Sequence, residues 1–238
     1  MSLDLPEPLQ RRRDEVSAGL AATEARIAAA CRACGRERAE LTLVVVTKTH
    51  PSSDIRVLAD LGVSDVGENR VQELSAKAAE GAYAGMRLHV IGRLQTNKAA
   101  EAARHAVMIH SLDRVKLIRP LARGAAEAGR DLVVLIQVSL DGDPARGGAA
   151  LPAVPELAET VLASPLRLGG VMAVPPPDAD PAAAFAELAE VAERVRELAP
   201  TARLISAGMS ADLEQAVAAG ATHLRVGSAI LGSRNSFG

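Results

Sequence analysis

A lysine at the end of an aliphatic run is the residue of this sequence with the clearest chemical potential. Lys48 ends the segment 41–48, LTLVVVTK, and is followed by Thr49, His50 and Pro51. A lysine at the carboxyl end of a buried parallel strand lies where α/β folds place their chemistry. When its amine is partly desolvated, it can lose a proton and form a Schiff base with an aldehyde. The alternative is a lysine that ends a strand and reaches solvent, as most lysines do.

Serines and glycines in two segments near the end of the chain predict a phosphate-binding cradle. Ser206, Gly208 and Ser210 follow one expected strand, and Gly227 and Ser228 follow the next. Glycines let backbone N–H groups approach an anion closely, and serine hydroxyls add donors. A helix that begins near the last serine would add its N-terminal dipole. Ordinary strand-to-helix turns with capping serines would give the same residue types.

A reactive lysine and a phosphate cradle suggest either a pyridoxal phosphate site or an aldolase for phosphorylated sugars. Arg225 lies in the last expected strand, between Leu224 and Val226, and favours the first class. An arginine that faces a pyridine nitrogen keeps that nitrogen unprotonated, because its guanidinium stays charged and only donates. The alternative for Arg225 is a salt bridge to a barrel acid such as Glu68.

Alternating strand and helix signals predict the fold that must position these residues. The candidate strands are 41–48, 64–68, 88–92, 106–111, 132–139, 166–174, 203–207 and 222–227. Segments with helical periodicity separate them, at 52–61, 70–80, 95–104, 113–128, 151–163, 181–199 and 210–219. A further helix, 7–34, precedes the first strand. This order predicts an α/β fold, a single (β/α)8 TIM-type barrel with an additional N-terminal helix, in preference to a doubly wound sheet. We expect residues 1–238 to form one domain.

The composition argues against several classes of ligand and indicates a cell compartment. Aromatic residues make up 1% of the chain and the net charge is −2, so neither base stacking nor a basic groove for nucleic acid is expected. No apolar run reaches the length of about 18 residues that spans a bilayer, and we expect no signal peptide. Cys31 and Cys34 form a lone CxxC without a second ligand pair. We therefore expect no metal site and a cytoplasmic location.

Six segments together resemble the pyridoxal phosphate homeostasis proteins, a family related to the N-terminal barrel of alanine racemase. The segments are VTKTHP at 46–51, GENRVQE at 67–73, HVIGRLQTNK at 89–98, GVMA at 170–173, GMSAD at 208–212 and RVGSAILG at 225–232. They occur in the order of the family, so their combination is far more specific than any one of them.

The resemblance implies a bound pyridoxal 5'-phosphate and a role for each residue around it. Lys48 would carry the cofactor as a Schiff base, and Arg225 would face the pyridine nitrogen. Ser206, Gly227 and Ser228 would hold the phosphate. Asn69 would lie near the ring, and Gly208 is the remaining glycine of the cradle. The predicted cofactor-binding residues are therefore Lys48, Asn69, Ser206, Gly208, Arg225, Gly227 and Ser228.

Two positions depart from the pattern of the family. Arg70 stands where the family often has an aromatic residue, which would make the solvent side of the cofactor more polar. Arg146, in the loop 140–150, stands where a lysine-containing motif is common. Whether that loop or Lys98 forms a second ligand site stays open at this point.

The resemblance implies a protein of intracellular cofactor homeostasis without efficient turnover and without a catalytic residue. A racemase needs a base on each face of the substrate α-carbon, and the related racemases take the second base from a tyrosine of a separate domain. The one tyrosine here, Tyr83, precedes the third strand, at the opposite barrel end from Lys48. We therefore expect a monomer that carries pyridoxal phosphate and passes it to apo-enzymes. A pyridoxal phosphate-dependent amino-acid racemase is the alternative.

Overall fold

A closed barrel of eight parallel strands forms the centre of the computed structural model, which describes residues 6–232. Each strand pairs with its neighbours in sequence, and the first strand closes the barrel by pairing with the last. The strands are β1 (Thr42–Val46), β2 (Asp65–Glu68), β3 (Arg87–Val90), β4 (Met108–Leu112), β5 (Val133–Gln137), β6 (Arg167–Met172), β7 (Leu204–Ser206) and β8 (His223–Val226). The predicted barrel is confirmed.

Helices alternate with the strands and cover the outside of the barrel. Within residues 6–232 they are α1 (Glu7–Ala33), α2 (Ser52–Asp60), α3 (Val71–Ala79), α4 (Ala99–His105), α5 (Ile118–Glu127), α6 (Val154–Leu162), α7 (Pro181–Leu198), α8 (Leu213–Ala218) and α9 (Ser228–Leu231). Short 3-10 turns precede α4, α5 and α6, so these helices begin later than the sequence predicted. No helix in this described part is both long and apolar enough to cross a membrane.

Most strands end earlier at their carboxyl ends than the sequence predicted. Strand β1 ends at Val46, although the N–H of Thr47 still donates to the carbonyl oxygen of Gly67 at 3.0 Å, so Lys48 lies in the loop beyond the strand. The apolar runs continue past the strands because the first loop residues, such as Thr47 and Ala207, are still buried. These residues also keep one backbone hydrogen bond to the neighbouring strand, so the apolar runs extend past the strand ends.

Two different environments surround the strands. The faces that meet the helices are aliphatic and form the main core, which includes Val45, Val66, Ile109 and Val134. The barrel interior is partly polar, since side chains from opposite strands meet there: His110 of β4 contacts Ser206 of β7. The strand composition alone did not predict this polar interior.

Helix α1 anchors the loop after β7 and the short helix α9. A Cβ on Gly19 would lie 2.7 Å from a backbone oxygen of α9, so glycine permits a close approach of the two helices. Arg12 donates to the carbonyl oxygen of Leu231 at 2.9 Å. Arg26 donates to the carbonyl oxygen of Ser210, also at 2.9 Å. The additional N-terminal helix thus holds both segments of the predicted cradle from behind.

We predict that Gly19→Ala lowers the free energy of unfolding by about 1–3 kcal/mol, because α1 must move away from α9. Helix propensity alone predicts the opposite sign, a gain of about 1 kcal/mol. Ala18→Gly is the matched control, since Ala18 is exposed on the same helix and should show only the propensity loss. Chemical denaturation measures both variants. A Gly19→Ala protein as stable as the wild type would contradict the close approach.

Candidate functional site

A cavity of about 590 Å³ opens at the carboxyl ends of the barrel strands. Barrels place their binding and catalytic sites at this end. The residues around it come from the ends of seven strands or from the loops that follow them. They are Val46, Lys48, Asn69, Ile91, Gly92, Arg93, Gln137, Arg146, Met172, Val174, Met209, Ser210, Ala211, Arg225, Gly227 and Ser228. The structure therefore brings together five of the seven predicted cofactor-binding residues, all except Ser206 and Gly208.

Lys48 lies exposed at the edge of this cavity, in a loop that is held on both sides of the lysine. Thr47 is fully buried, and its hydroxyl donates to Glu68 Oε1 at 2.7 Å. Thr49 adopts a positive φ of 65°, and its N–H donates to Glu73 Oε1 at 2.5 Å. A threonine with positive φ is unusual and persists only where its surroundings hold it. The flanking bonds thus fix the backbone from which the lysine side chain extends.

Glu68 is the centre of a buried polar cluster between β2 and α3. Its Oε1 accepts hydrogen bonds from Lys77 Nζ at 2.7 Å and from the Tyr83 hydroxyl at 3.0 Å. Burial raises the pKa of Glu68 because it penalises the charged carboxylate, although Lys77 opposes this effect. Since Glu68 faces α3, it forms no salt bridge with Arg225, and that sequence-based alternative is wrong.

The position of Tyr83 corrects part of the prediction made for it. The residue lies in the loop before β3, as expected, but its hydroxyl reaches the last residue of β2. Burial raises the pKa of Tyr83 above its usual range, and the neighbouring carboxylate of Glu68 adds to this. The ring packs outside the barrel wall and does not line the cavity, so it is not placed as a base opposite Lys48.

Arg225 lines the cavity from β8 and is 4% exposed. Its Nη1 donates to Ser206 Oγ at 2.6 Å, and its Nη2 donates to the carbonyl oxygen of Ala173 at 2.9 Å. Burial lowers the pKa of Arg225 to about 10, so the side chain stays charged at neutral pH. Within residues 6–232 no carboxylate forms an ion pair with it. Arg225 thus brings a charged donor to the cavity with further N–H groups to spare.

Two residues of the predicted cradle lie outside the cavity lining. Ser206 is fully buried, and its hydroxyl contacts His110 Nδ1 at 2.7 Å as well as Arg225. Gly208 has a φ of 88°, and a Cβ there would lie 2.6 Å from Cβ of Ala216 in α8. This placement does not support direct contact of Ser206 or Gly208 with a ligand. Ser206 reaches the cavity through Arg225, and Gly208 shapes the turn after β7.

The remaining cradle residues meet at one wall of the cavity. Ser228 Oγ donates to Ser210 Oγ at 3.2 Å, and the N–H of Ala229 lies 3.4 Å from the same oxygen. A Cβ on Gly227 would lie 3.1 Å from the carbonyl oxygen of Val46, so the loop after β8 runs close to β1. Two hydroxyls and the start of α9 therefore face the same space.

Two arginines that sequence reasoning did not assign to the site also line the cavity. Arg146 donates to the carbonyl oxygens of Val174 and Pro175, at 2.8 and 2.7 Å, and thereby joins the loop after β5 to the loop after β6. Arg93 donates to the carbonyl oxygen of Pro144 at 3.0 Å. Both residues fall in segments that follow strands, and this position is the feature of the sequence that could have indicated a place in the site. Their direction depends on loop conformation, which the residue pattern does not determine.

A second cavity of about 520 Å³ adjoins the first and shares Asn69 and Arg93 with it. Arg70 and Lys98 belong to this neighbouring recess, and Lys98 forms an ion pair with Glu101 at 2.9 Å. Lys98 is therefore separate from the cavity that Lys48 lines.

Comparisons with known proteins agree with this geometry. The family model for the alanine racemase N-terminal domain matches residues 19–235. A pyridoxal phosphate homeostasis protein of Mycobacterium tuberculosis is 43% identical over 243 residues, which cover 94% of each chain.

Solved structures extend the match. PipY of Synechococcus elongatus, solved with PLP bound, has a TM-score of 0.77 at 32% identity and covers 91% of this chain and 100% of its own. A protein described as unknown from Bifidobacterium adolescentis has a TM-score of 0.85 at 28% identity, with 96% and 98% covered. The chain belongs to the family of pyridoxal phosphate homeostasis proteins, which is built on the alanine racemase N-terminal barrel.

Proposed function

We propose that this protein binds pyridoxal 5'-phosphate at the mouth of the barrel and acts in the homeostasis of that cofactor. The observation that carries the proposal is the convergence of Lys48, Arg225 and the serines of the cradle on one cavity. The volume of about 590 Å³ lies within the range of small-molecule sites. The homeostasis protein of M. tuberculosis and the PLP-bound structure of PipY support the same conclusion.

The residues present fit the chemical groups of the cofactor. Lys48 offers an exposed amine for a Schiff base with the aldehyde. Ser210, Ser228 and the first N–H groups of α9 offer donors to the phosphate. Asn69 lines the cavity between these positions and the neighbouring recess, where it can contact the ring. Ser206 would act on the cofactor through Arg225 rather than by direct contact.

Arg225 suits an unprotonated pyridine nitrogen. The guanidinium only donates, and within residues 6–232 no carboxylate competes for its donors. When bound, the cofactor supplies an electrophilic aldehyde attached to an electron-withdrawing ring. A positively charged donor at the ring nitrogen prevents protonation there, which weakens the ring as an electron sink.

We propose that the protein carries the cofactor rather than turning over a substrate. Of the cavity-lining side chains, Lys48 is the one with a basic amine, and neither a tyrosine nor a histidine lies opposite it among the described residues. A two-base racemisation would require such a partner. Because Lys48 is exposed, its bond to the aldehyde is accessible to a recipient apo-enzyme. We further propose that residues 1–238 act as one cofactor-binding domain, as a monomer in the cytoplasm.

The first prediction concerns Lys48. The wild-type protein should take up pyridoxal phosphate, show a visible absorption band, lose that band on borohydride reduction, and carry a phosphopyridoxyl group on Lys48 in peptide mass spectra. Lys48→Ala should lose the band, whereas Lys98→Ala should keep it because Lys98 belongs to the neighbouring recess. A wild-type protein that takes up no cofactor would contradict the proposal. Racemisation of L-alanine that disappears in Lys48→Ala would favour the racemase instead.

The second prediction concerns the phosphate. Ser228→Asp should weaken the binding of pyridoxal phosphate more than tenfold, or by about 1.4 kcal/mol or more, because the new carboxylate repels the phosphate. An acidic residue is favourable in the first turn of a helix, so the change should not disturb α9. Ser228→Thr keeps the hydroxyl and is the control. Titration with pyridoxal, which has no phosphate, should show little difference between the variants. Equal affinity of Ser228→Asp for pyridoxal phosphate would place the phosphate elsewhere.

A further inference from the structure

A continuous chain of hydrogen bonds runs through the barrel interior from the cavity toward the opposite end. Arg225 Nη1 lies 2.6 Å from Ser206 Oγ, which lies 2.7 Å from His110 Nδ1. His110 Nε2 lies 2.9 Å from His89 Nδ1, and His89 Nε2 lies 2.9 Å from Asp65 Oδ1. All five residues are at most 4% exposed. Five different strands thus contribute to one connected polar path.

The two ends of the chain determine where its protons lie. Arg225 only donates, so Ser206 accepts from it, and we assign the proton of Ser206 to the hydrogen bond with His110 Nδ1. His110 must then carry its proton on Nε2 and donate to His89. His89 in turn donates from Nε2 to the carboxylate of Asp65. In this arrangement every donor points away from the cavity.

The environment of His110 agrees with this assignment. Burial lowers the pKa of His110 well below its usual value, and the charge of Arg225 adds to the effect. His223 packs beside both rings, with centroid separations of 6.0 Å from His110 and 6.2 Å from His89. Burial lowers the pKa of His223 to about 4, so it also adds no positive charge at neutral pH.

The far end of the chain is held as an anion. Burial alone would raise the pKa of Asp65, but hydrogen bonds from His89, Arg87 and Ser64 lower it below its usual range. The side chain of Arg87 is 59% exposed at the start of β3, and its Nε lies 2.7 Å from Asp65 Oδ1. The chain therefore connects the cavity with an ion pair at the amino-terminal rim of the barrel.

We propose that Ser206, His110, His89 and Asp65 are positioning residues for the bound cofactor, an inference that rests on the proposed function. Aligned hydrogen bonds in a low-dielectric interior polarise one another, so the chain that ends at the carboxylate of Asp65 strengthens the hydrogen bond from Arg225 to Ser206. A carboxylate in direct contact would instead occupy the donors of Arg225. The relay fixes the position of the guanidinium and leaves its remaining N–H groups for the pyridine nitrogen.

The proton positions can be measured without any cofactor. Long-range proton–nitrogen NMR spectra of the protein with 15N-labelled histidine should show neutral Nε2–H tautomers for both His89 and His110 at pH 7. Spectra of His89→Gln and His110→Gln assign the signals. A Nδ1–H tautomer or a doubly protonated ring at either position would overturn the relay. Because this experiment uses the unliganded protein, its outcome is independent of the proposed function.

The positioning role is tested with three interior substitutions and bound pyridoxal phosphate. His110→Phe interrupts the chain and should shift the visible absorption maximum and weaken binding about tenfold, while borohydride still attaches the cofactor to Lys48. His110→Gln offers both an acceptor and a donor and should restore most of the affinity and the spectrum. His223→Phe is the matched control, because His223 touches the chain without being a link in it. It should resemble the wild type.

Each outcome decides a separate point. Wild-type spectrum and affinity in His110→Phe would overturn the positioning role while the proposed function stands. Equal losses in His110→Phe and His223→Phe would reduce the effect to interior packing and also overturn it. If His110→Phe does not fold, Ser206→Ala removes the next residue of the chain. Its absorption spectrum and its affinity for pyridoxal phosphate are then measured instead. A wild-type protein that binds no pyridoxal phosphate would instead sink the proposed function, and the positioning role with it.

Discussion

The buried charge of Arg225 is the constraint on which much of this barrel depends. A charged group removed from water must be compensated by hydrogen bonds or an opposite charge. Here Ser206 and the carbonyl oxygen of Ala173 accept its hydrogen bonds, and the nearby charge of Asp212 favours its charged form. Polar side chains must therefore occupy positions inside the barrel that aliphatic residues fill in a purely structural core. The barrel therefore buries less apolar surface where its interior meets the cavity.

Three separate supports converge on the cavity, and each comes from a different part of the fold. The loop of Lys48 is held from outside by the cluster around Glu68 and α3. The segments that contain Ser210 and Ser228 are held from behind by α1, through Arg26 and Arg12. Arg225 is held from within. Loops carry the binding groups, but rigid elements determine their positions, which is how a preformed site is built.

Sequence reasoning found the elements and the anchors of the site but not the directions of several side chains. The aliphatic runs and their alternation with helical segments were sufficient to locate all eight strands, and the position after a strand was sufficient to select Lys48. The direction of Ser206 was not accessible, because β7 has only three residues, Leu204–Ser206, which are too few to show an alternating pattern. Glu68 was ambiguous for a simpler reason: only its partner on α3 shows that it faces outward.

Because of its contacts, helix α1 takes part in the equilibrium between the free and the ligand-bound protein. Arg12 and Arg26 bond to backbone oxygens in the same segments that supply donors to the cavity, so docking of the helix and assembly of the cradle are one event. A ligand that binds only the assembled cradle adds its binding free energy to that docking. By thermodynamic reciprocity, a tightly docked helix raises the affinity of the site by the same factor. The amino-terminal helix thereby becomes a distant determinant of how firmly the cofactor is retained.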